Sequence, residues 1–284
     1  MDQRIISLYD EYTHRPLGRD QFLKQLVKIT GSLTAAMAVL PMLEGNYASA
    51  QTQPAAGLFT ERVSYPSSAG EMKAYVARPV ALKPYAAIIV IHENRGLNAH
   101  IEDVARRAAA EGFLAIAPDG LSTLGGTPAN EDDARQLFSK LDGVENITRF
   151  GAALPYLRTR KDCNGAVGCV GFCWGGAMSN NLAVAVPELK AAVSFYGRQP
   201  DAAKVANIRA AVQLHYAALD ERVNAGMAAY EESLKAAGIK YEQYVYEGVN
   251  HAFHNDTSAA RYNKEAALLA WSRTISFFKK HLVI

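Results

Sequence analysis

Short, continuous apolar runs recur along most of this chain, and stretches with helical spacing separate them. The first run, residues 86–91, is apolar throughout, as expected for a strand buried on both faces of a sheet. Regular alternation of such strands with helices predicts an α/β fold, a mostly parallel sheet with helices on both faces. Further strands are predicted at 113–117, 167–172, 191–196, 212–216 and 241–246, and helices at 99–111, 131–141, 144–158, 174–186, 225–237 and 259–280.

A hairpin precedes these elements, because residues 62–65 and 72–78 alternate in polarity around a turn at 67–70. No linker or repeat follows residue 60, so residues 51–284 are predicted to be one domain. The 30 Lys and Arg residues nearly balance the 28 Asp and Glu residues, which argues against a nucleic-acid partner. No apolar stretch reaches the length of about 18 residues needed for a stable membrane span. The sequence does not indicate an oligomeric state.

Residues 1–50 differ from the rest of the chain. The sequence Arg19-Asp20-Gln21-Phe22-Leu23-Lys24 precedes an apolar run at 29–43, which leads to Ala48-Ser49-Ala50. This order predicts an export signal cleaved after Ala50 and a periplasmic location. The segment resembles a twin-arginine signal but is degenerate, because Asp20 stands where the second arginine belongs. The alternative is a cytoplasmic protein that keeps this segment as an amphipathic helix.

The segment 168–176 reads Gly-Cys-Val-Gly-Phe-Cys-Trp-Gly-Gly. A predicted strand ends at Phe172 and a predicted helix begins near Trp174, which places Cys173 on the sharp turn between them. This is the G-x-S-x-G nucleophile pattern with cysteine in place of serine. A helix N-terminus also favours thiolate over thiol. Cys173 is therefore predicted to be a nucleophile, and the alternative is a small buried apolar residue.

Two further residues complete a catalytic set. Parallel α/β sheets place their chemistry beyond the carboxyl ends of the strands. Asp220 follows the strand at 212–216, and His251 follows the strand at 241–246. Nucleophile, acid and histidine then occur in the chain order of enzymes with this turn. The sequence predicts a Cys173–His251–Asp220 triad.

Several spaced segments together resemble the dienelactone hydrolase family, α/β-hydrolase enzymes with a cysteine nucleophile. The resemblance runs from about residue 60 to the C-terminus. It implies hydrolysis of a small ester or lactone through an acyl-enzyme, without a cofactor, in which Cys173 is the nucleophile, His251 the base and Asp220 its orienting acid. The segments are GFCWGG at 171–176, Asp220, HAF at 251–253, HENRGLN at 92–98 and APD at 117–119.

The same resemblance assigns further roles at the site. Glu93 matches a glutamate that lies beside the cysteine in the family and helps to take its proton, as a nearby carboxylate can. The alternative for Glu93 is a loop residue paired with Arg95. The backbone N–H groups of Trp174 and Asn94 match the oxyanion hole.

The chain departs from the family where substrate is held. Family members bind a substrate carboxylate with arginines, one of them four residues after the catalytic histidine, where this chain has Asn255. The second arginine position matches Glu131, with Arg135 one turn later. Neither an amide nor a carboxylate can form the charge-assisted pair that arginine forms with a carboxylate. A neutral ester or lactone is therefore expected.

Other residues are predicted to surround the substrate. Arg135, Arg95 and Arg198 are candidates for a replacement clamp. Tyr196 and Phe253 follow strand ends and are predicted to line the pocket.

Two other interpretations remain open: a thiol-redox protein that uses Cys173 with another cysteine, and a non-catalytic exported binding protein. The chain has no C-x-x-C pair, and Cys163 and Cys169 are predicted to be free thiols. The spacing of His251, His254 and Asp256 does not predict a metal site.

Overall fold

A computed structural model describes residues 1–15, 17–46 and 56–282. The strands in these residues form one sheet of eight strands in the order β1-β2-β4-β3-β5-β6-β7-β8. The hairpin strands β1 and β2 are antiparallel, as are β2 and β4, and all other neighbours are parallel. The strands are β1 (Leu58–Ser67), β2 (Gly70–Pro79), β3 (Tyr85–Ile91), β4 (Leu114–Pro118), β5 (Cys163–Phe172), β6 (Ala191–Phe195), β7 (Ala211–Ala217) and β8 (Tyr241–Tyr246).

Helices cover both faces of the sheet, so the predicted α/β architecture is confirmed. One buried apolar cluster joins α4 and α11 to one face, and a second joins α6, α7, α8 and α10 to the other. The helices are α1 (Gln3–His14), α2 (Arg19–Thr30), α3 (Leu33–Leu43), α4 (Ala99–Ala110), α5 (Glu131–Phe138), α6 (Gly143–Gly151), α7 (Ala153–Thr159), α8 (Trp174–Ala185), α9 (Glu221–Asn224), α10 (Met227–Ala236) and α11 (Lys264–Leu282).

Four predicted helices are wrong in their extent, and the one predicted at 131–141 ends at Phe138. The single helix predicted at 144–158 is two helices, because Pro155 has no N–H to donate to the Gly151 carbonyl four residues earlier. The helix predicted at 225–237 begins at Met227, after the separate short helix α9. The last helix begins at Lys264 rather than 259, because the preceding residues turn back on the Ser258 carbonyl.

Residues 1–15 and 17–46 form three helices that share an apolar core. The apolar run at 29–43 is divided, since α2 ends at Gly31 in the left-handed region (φ 83°) and the Ser32 side chain caps α3. Among the described residues, no single helix is long and apolar enough to cross a membrane, although α2 and α3, bent by 112°, pass that test together. The Ala48–Ala50 cleavage pattern lies outside the described residues, so export remains a prediction.

This helical segment is attached to the sheet domain. The Tyr12 hydroxyl donates to Oδ1 of Asp132, in the first turn of α5, at 2.6 Å. The backbone N–H of Ala260 donates to the Met42 carbonyl at 3.0 Å, and the Ser258 hydroxyl donates to the Leu43 carbonyl at 3.2 Å. These contacts bring the end of α1 to the carboxyl edge of the sheet.

Candidate functional site

The turn between β5 and α8 holds Cys173 in a strained conformation. Its φ is 56° and its ψ is −114°, a region that residues other than glycine rarely adopt and that is found at functional sites. A Cβ at Gly171 would overlap the Gly175 carbonyl, and a Cβ at Gly175 would overlap the Ile91 carbonyl. Glycine at both positions therefore allows α8 to begin directly against β3 and β5, with Cys173 at the tip of the turn.

Asp220 and His251 meet beyond the ends of β7 and β8. His251 Nδ1 lies 2.5 Å from Asp220 Oδ2, and both side chains are almost fully buried. The other carboxylate oxygen of Asp220 accepts from the Val223 N–H at 3.2 Å. Because the proton of neutral His251 is held at Nδ1, Nε2 is free to act as a base. In the described part of the chain, Nε2 has no hydrogen-bond partner.

Charges around the buried Cys173 thiol change how it ionises. Burial raises the pKa of Cys173, but His14 and His251 outweigh it and lower the pKa to about 6. For His251, burial alone would lower the pKa, but Asp220, Asp10 and the Cys173 thiolate raise the pKa well above its usual value. The arrangement favours a thiolate beside imidazolium.

His14, near the end of α1, is a site residue that the sequence analysis missed. Its Nε2 lies 3.0 Å from Cys173 Sγ, and its ring packs edge-on against the His251 ring with 4.7 Å between centroids. Its Nδ1 faces the carboxylate of Asp10 at 3.1 Å. The signal available in the sequence was the i, i+4 spacing of Asp10 and His14 on a helix, but residues 1–50 were assigned to export.

The two residues predicted to form an oxyanion hole both line the pocket around Cys173. Trp174 is the first residue of α8, so its N–H has no partner within the helix. Its indole ring stacks on the His92 ring, with 5.5 Å between centroids and 10° between planes. The Asn94 side chain, for which the sequence predicted no role, donates to the Thr13 carbonyl at 2.8 Å.

A cavity of about 510 Å³ reaches Cys173 from solvent. Tyr196 and Arg135 line it as predicted. Arg198, another predicted candidate, lines it too, as do Arg15 and Arg222, whereas the predicted Arg95 does not. No Asp or Glu among the described residues lines this cavity. Phe253, predicted to line the pocket, is instead fully buried against Tyr196, Phe195 and Tyr246.

The sequence is similar to that of known proteins over most of its length. A family model described as "Dienelactone hydrolase family" matches residues 72–282. The chain belongs to the dienelactone hydrolase family. A "Putative carboxymethylenebutenolidase" from Methylorubrum extorquens is 30% identical over 287 aligned positions, covering 94% of this chain and 96% of that protein. Another of that name from Escherichia coli K12 is 33% identical and covers 77% of this chain and 86% of its own length.

Solved structures agree with this assignment. The crystal structure of a "Putative Dienelactone Hydrolase" from Klebsiella pneumoniae is 30% identical, with a TM-score of 0.71, over 79% of this chain and 99% of that one. The α/β-hydrolase fold implied by the sequence resemblance is thereby confirmed.

Within this family, the chain differs at the position predicted for a carboxylate-binding arginine. Asn255, at the arginine position, donates from Nδ2 to Glu93 Oε2 at 2.9 Å, and the Tyr196 hydroxyl donates to Glu93 Oε1 at 3.5 Å. Arg95, the alternative partner predicted for Glu93, instead contacts Glu131 at 3.4 Å. Asn255 therefore holds the buried Glu93 carboxylate by a hydrogen bond.

One group of side chains has the composition of a metal site. The ligand atoms of His14, Cys173 and His251 lie within 4.8 Å of one another. His254, which the sequence analysis considered, is not in this group, and its ring stacks on Phe172 with 4.9 Å between centroids. The three clustered residues include the predicted nucleophile and base, so a bound ion would compete with nucleophilic chemistry.

Proposed function

We propose that this protein hydrolyses a small ester or lactone with Cys173 as the nucleophile, His251 as the base and Asp220 as the acid that orients His251. The observation that carries this proposal is the convergence of the three groups. A cysteine on a strained turn at a helix N-terminus faces a histidine whose far nitrogen is held by a buried carboxylate at 2.5 Å. The relatives named for dienelactones and carboxymethylenebutenolide support lactone hydrolysis.

The geometry supports a two-step reaction. The Cys173 thiolate attacks the carbonyl carbon, and the N–H groups of Trp174 and Asn94 stabilise the oxyanion. Collapse expels the alcohol and leaves a thioester. His251 Nε2, free of protein partners among the described residues, then takes a proton from water, which attacks the thioester and releases the acid.

The cavity walls support an anionic substrate rather than the neutral ester expected from the sequence. Four arginines line the cavity with no carboxylate among the described lining residues: Arg15, Arg135, Arg198 and Arg222. The exposed Arg198 has no carboxylate partner in the described part of the chain, whereas Arg222 contacts Asp10 at 3.3 Å. We infer that Arg198 binds a substrate carboxylate, as arginine does through paired hydrogen bonds.

Hydrolysis of a nitrophenyl ester by the purified full chain tests this function. Cys173→Ala should abolish turnover, and Cys173→Ser should retain at most a small fraction, while both keep the unfolding temperature of the wild type. Mass spectrometry of Cys173 should detect the acyl-thioester during turnover. Undiminished hydrolysis by Cys173→Ala would refute the proposal.

The thiol-redox alternative has less support. Cys169 is fully buried and lies 3.0 Å from the Ser179 hydroxyl, and burial raises the pKa of its thiol to about 12. A redox partner needs an accessible thiolate. Full activity of Cys169→Ala toward the ester would separate hydrolysis from disulfide chemistry.

A further inference from the structure

The N-terminal helix α1 lies outside residues 72–282, the part of the chain that matches the family. It nevertheless contributes an atom in contact with the predicted nucleophile, since His14 Nε2 is 3.0 Å from Cys173 Sγ. The His14 side chain is only 11% exposed. The family resemblance does not account for this second histidine.

The surroundings of His14 repeat those of His251. His14 Nδ1 lies 2.9 Å from the Asp10 carbonyl oxygen and 3.1 Å from its carboxylate. The carbonyl accepts a hydrogen bond from Nδ1 and the negative carboxylate lies beside it, so the proton of neutral His14 stays at Nδ1 and Nε2 is an acceptor toward sulfur. Arg222 Nε contacts the other Asp10 oxygen at 3.3 Å and so fixes the carboxylate. Two carboxylate–histidine pairs, Asp10–His14 and Asp220–His251, therefore converge on Cys173.

The sheet domain holds the end of α1 in place. The last carbonyls of a helix have no hydrogen-bond donors within the helix. At the end of α1, side chains of the sheet domain donate to these carbonyls. Asn94 donates to the Thr13 carbonyl at 2.8 Å, and Arg135 donates to the Tyr12 carbonyl at 3.2 Å. The Arg135 guanidinium also lies over the Tyr12 ring, 4.2 Å from its centroid. His14 is thus fixed by the residues immediately before it.

Helix α1 forms a wall of the substrate cavity and does not close it. Thr13, His14 and Arg15 line the cavity of about 510 Å³ together with Cys173 and Trp174. A small ester can therefore reach the sulfur while His14 stays in contact with it. This argues for participation in the reaction rather than for blockage.

We propose that His14 is a second catalytic histidine, which serves formation of the acyl-enzyme while His251 serves its hydrolysis. The inference rests on the function proposed above. In the resting pair, the proton of Cys173 already lies on His14 Nε2, which leaves sulfur as the thiolate. The thiolate forms the S–C bond, and the leaving oxygen takes the proton from His14 as its bond to carbon breaks. Water then gives a proton to His251 and its oxygen bonds to the carbonyl carbon. The S–C bond breaks and sulfur leaves as the thiolate. As the acid departs, the proton that His251 took from water passes to His14, which restores the resting pair.

This assignment requires residues 1–46 in the working enzyme, contrary to the predicted cleavage after Ala50. The intact mass of protein purified from its native host should include α1. A fully active chain beginning at Gln51 would overturn the inference, because that chain lacks His14.

Single-turnover kinetics on the full chain separate the two histidines. His14→Gln keeps a hydrogen-bond acceptor near sulfur but cannot carry the proton. Its acylation rate should fall at least tenfold with a nitrophenyl ester and about 100-fold or more with an alkyl ester, whose poorer leaving group needs the proton. Decay of its acyl-enzyme should stay within about threefold of the wild type. His251→Gln should instead acylate once and accumulate thioester.

Controls distinguish each kind of failure. Arg4→Gln, on the exposed face of α1, should match the wild type in both steps, and all variants are compared by unfolding temperature. His14→Asn provides a second substitution if His14→Gln unfolds. Unchanged acylation in both His14 variants, or failure of His251→Gln to acylate, would refute the division of roles. Retained turnover in Cys173→Ala would refute the proposed function itself.

Discussion

The ionisation of Cys173 is the most direct physical test of the site. Two histidines outweigh the effect of burial and lower the pKa of the thiol from 9.0 to about 6, a difference of about 4 kcal/mol between thiol and thiolate. At pH 7 about nine-tenths of the protein should carry the thiolate, compared with about one-hundredth for a pKa of 9.0. Because the pKa is lowered, the thiolate should persist above pH 6 and be lost as the pH falls below it.

Absorbance at 240 nm measures this ionisation, with Cys173→Ala as the blank that removes the contribution of Cys163 and Cys169. The rate of alkylation by iodoacetamide should follow the same midpoint, which belongs to the coupled cysteine–histidine group. Asp220→Asn should move the midpoint upward, because Asp220 supports the charge of His251. A wild-type midpoint at or above about 8.5, the range of an ordinary cysteine, would refute the electrostatic argument.

Three further outcomes are expected. Gly171→Ala should lower kcat/KM by about 100-fold, because the added Cβ would overlap the Gly175 carbonyl and displace the turn that carries Cys173. Gly143→Ala is the matched control for activity and unfolding temperature, because a Cβ at Gly143 has no neighbour within 4 Å. Arg198→Ala should raise KM for carboxylated esters about tenfold or more but not for neutral esters of equal size, and an equal effect on both would exclude a clamp. Micromolar Zn²⁺ should inhibit hydrolysis, and EDTA should restore the activity. His14→Gln should weaken this inhibition, because the His14 ring nitrogen is one of the three clustered ligand atoms with Cys173 and His251.

Sequence patterns were sufficient to predict most strands of the sheet and to predict that Cys173, Asp220 and His251 lie close together. Strands buried on both faces, such as β3, are apolar throughout and therefore easy to recognise. Helix ends were less predictable, because the break between α6 and α7 depends on one missing hydrogen bond at Pro155. Cys173, Asp220 and His251 follow strand ends, so their convergence follows from the topology alone.

The contacts of the N-terminal helices could not be predicted in the same way. An apolar run near the N-terminus with a small-residue pattern is typical of a signal, and its composition does not distinguish a signal from a helical segment that packs on the protein. The distance from His14 to Cys173 depends on how α1 docks, which local periodicity does not encode. Phe253 shows the opposite error, because a position beyond a strand end does not reveal whether a side chain faces the cavity or the core.

Two histidines around one cysteine also provide a physical reason for an ordered reaction. In the resting site, the Cys173 thiolate raises the pKa of both His14 and His251, although burial alone would lower them. In the proposed reaction, acylation removes the negative charge from sulfur, because the thioester is neutral. Each imidazolium then loses one of the charges that stabilised it, and the pKa of His251 falls toward the range of a general base. The base that deacylation requires is therefore released by the acylation step itself, while Asp220 continues to hold Nδ1 and direct Nε2 toward water.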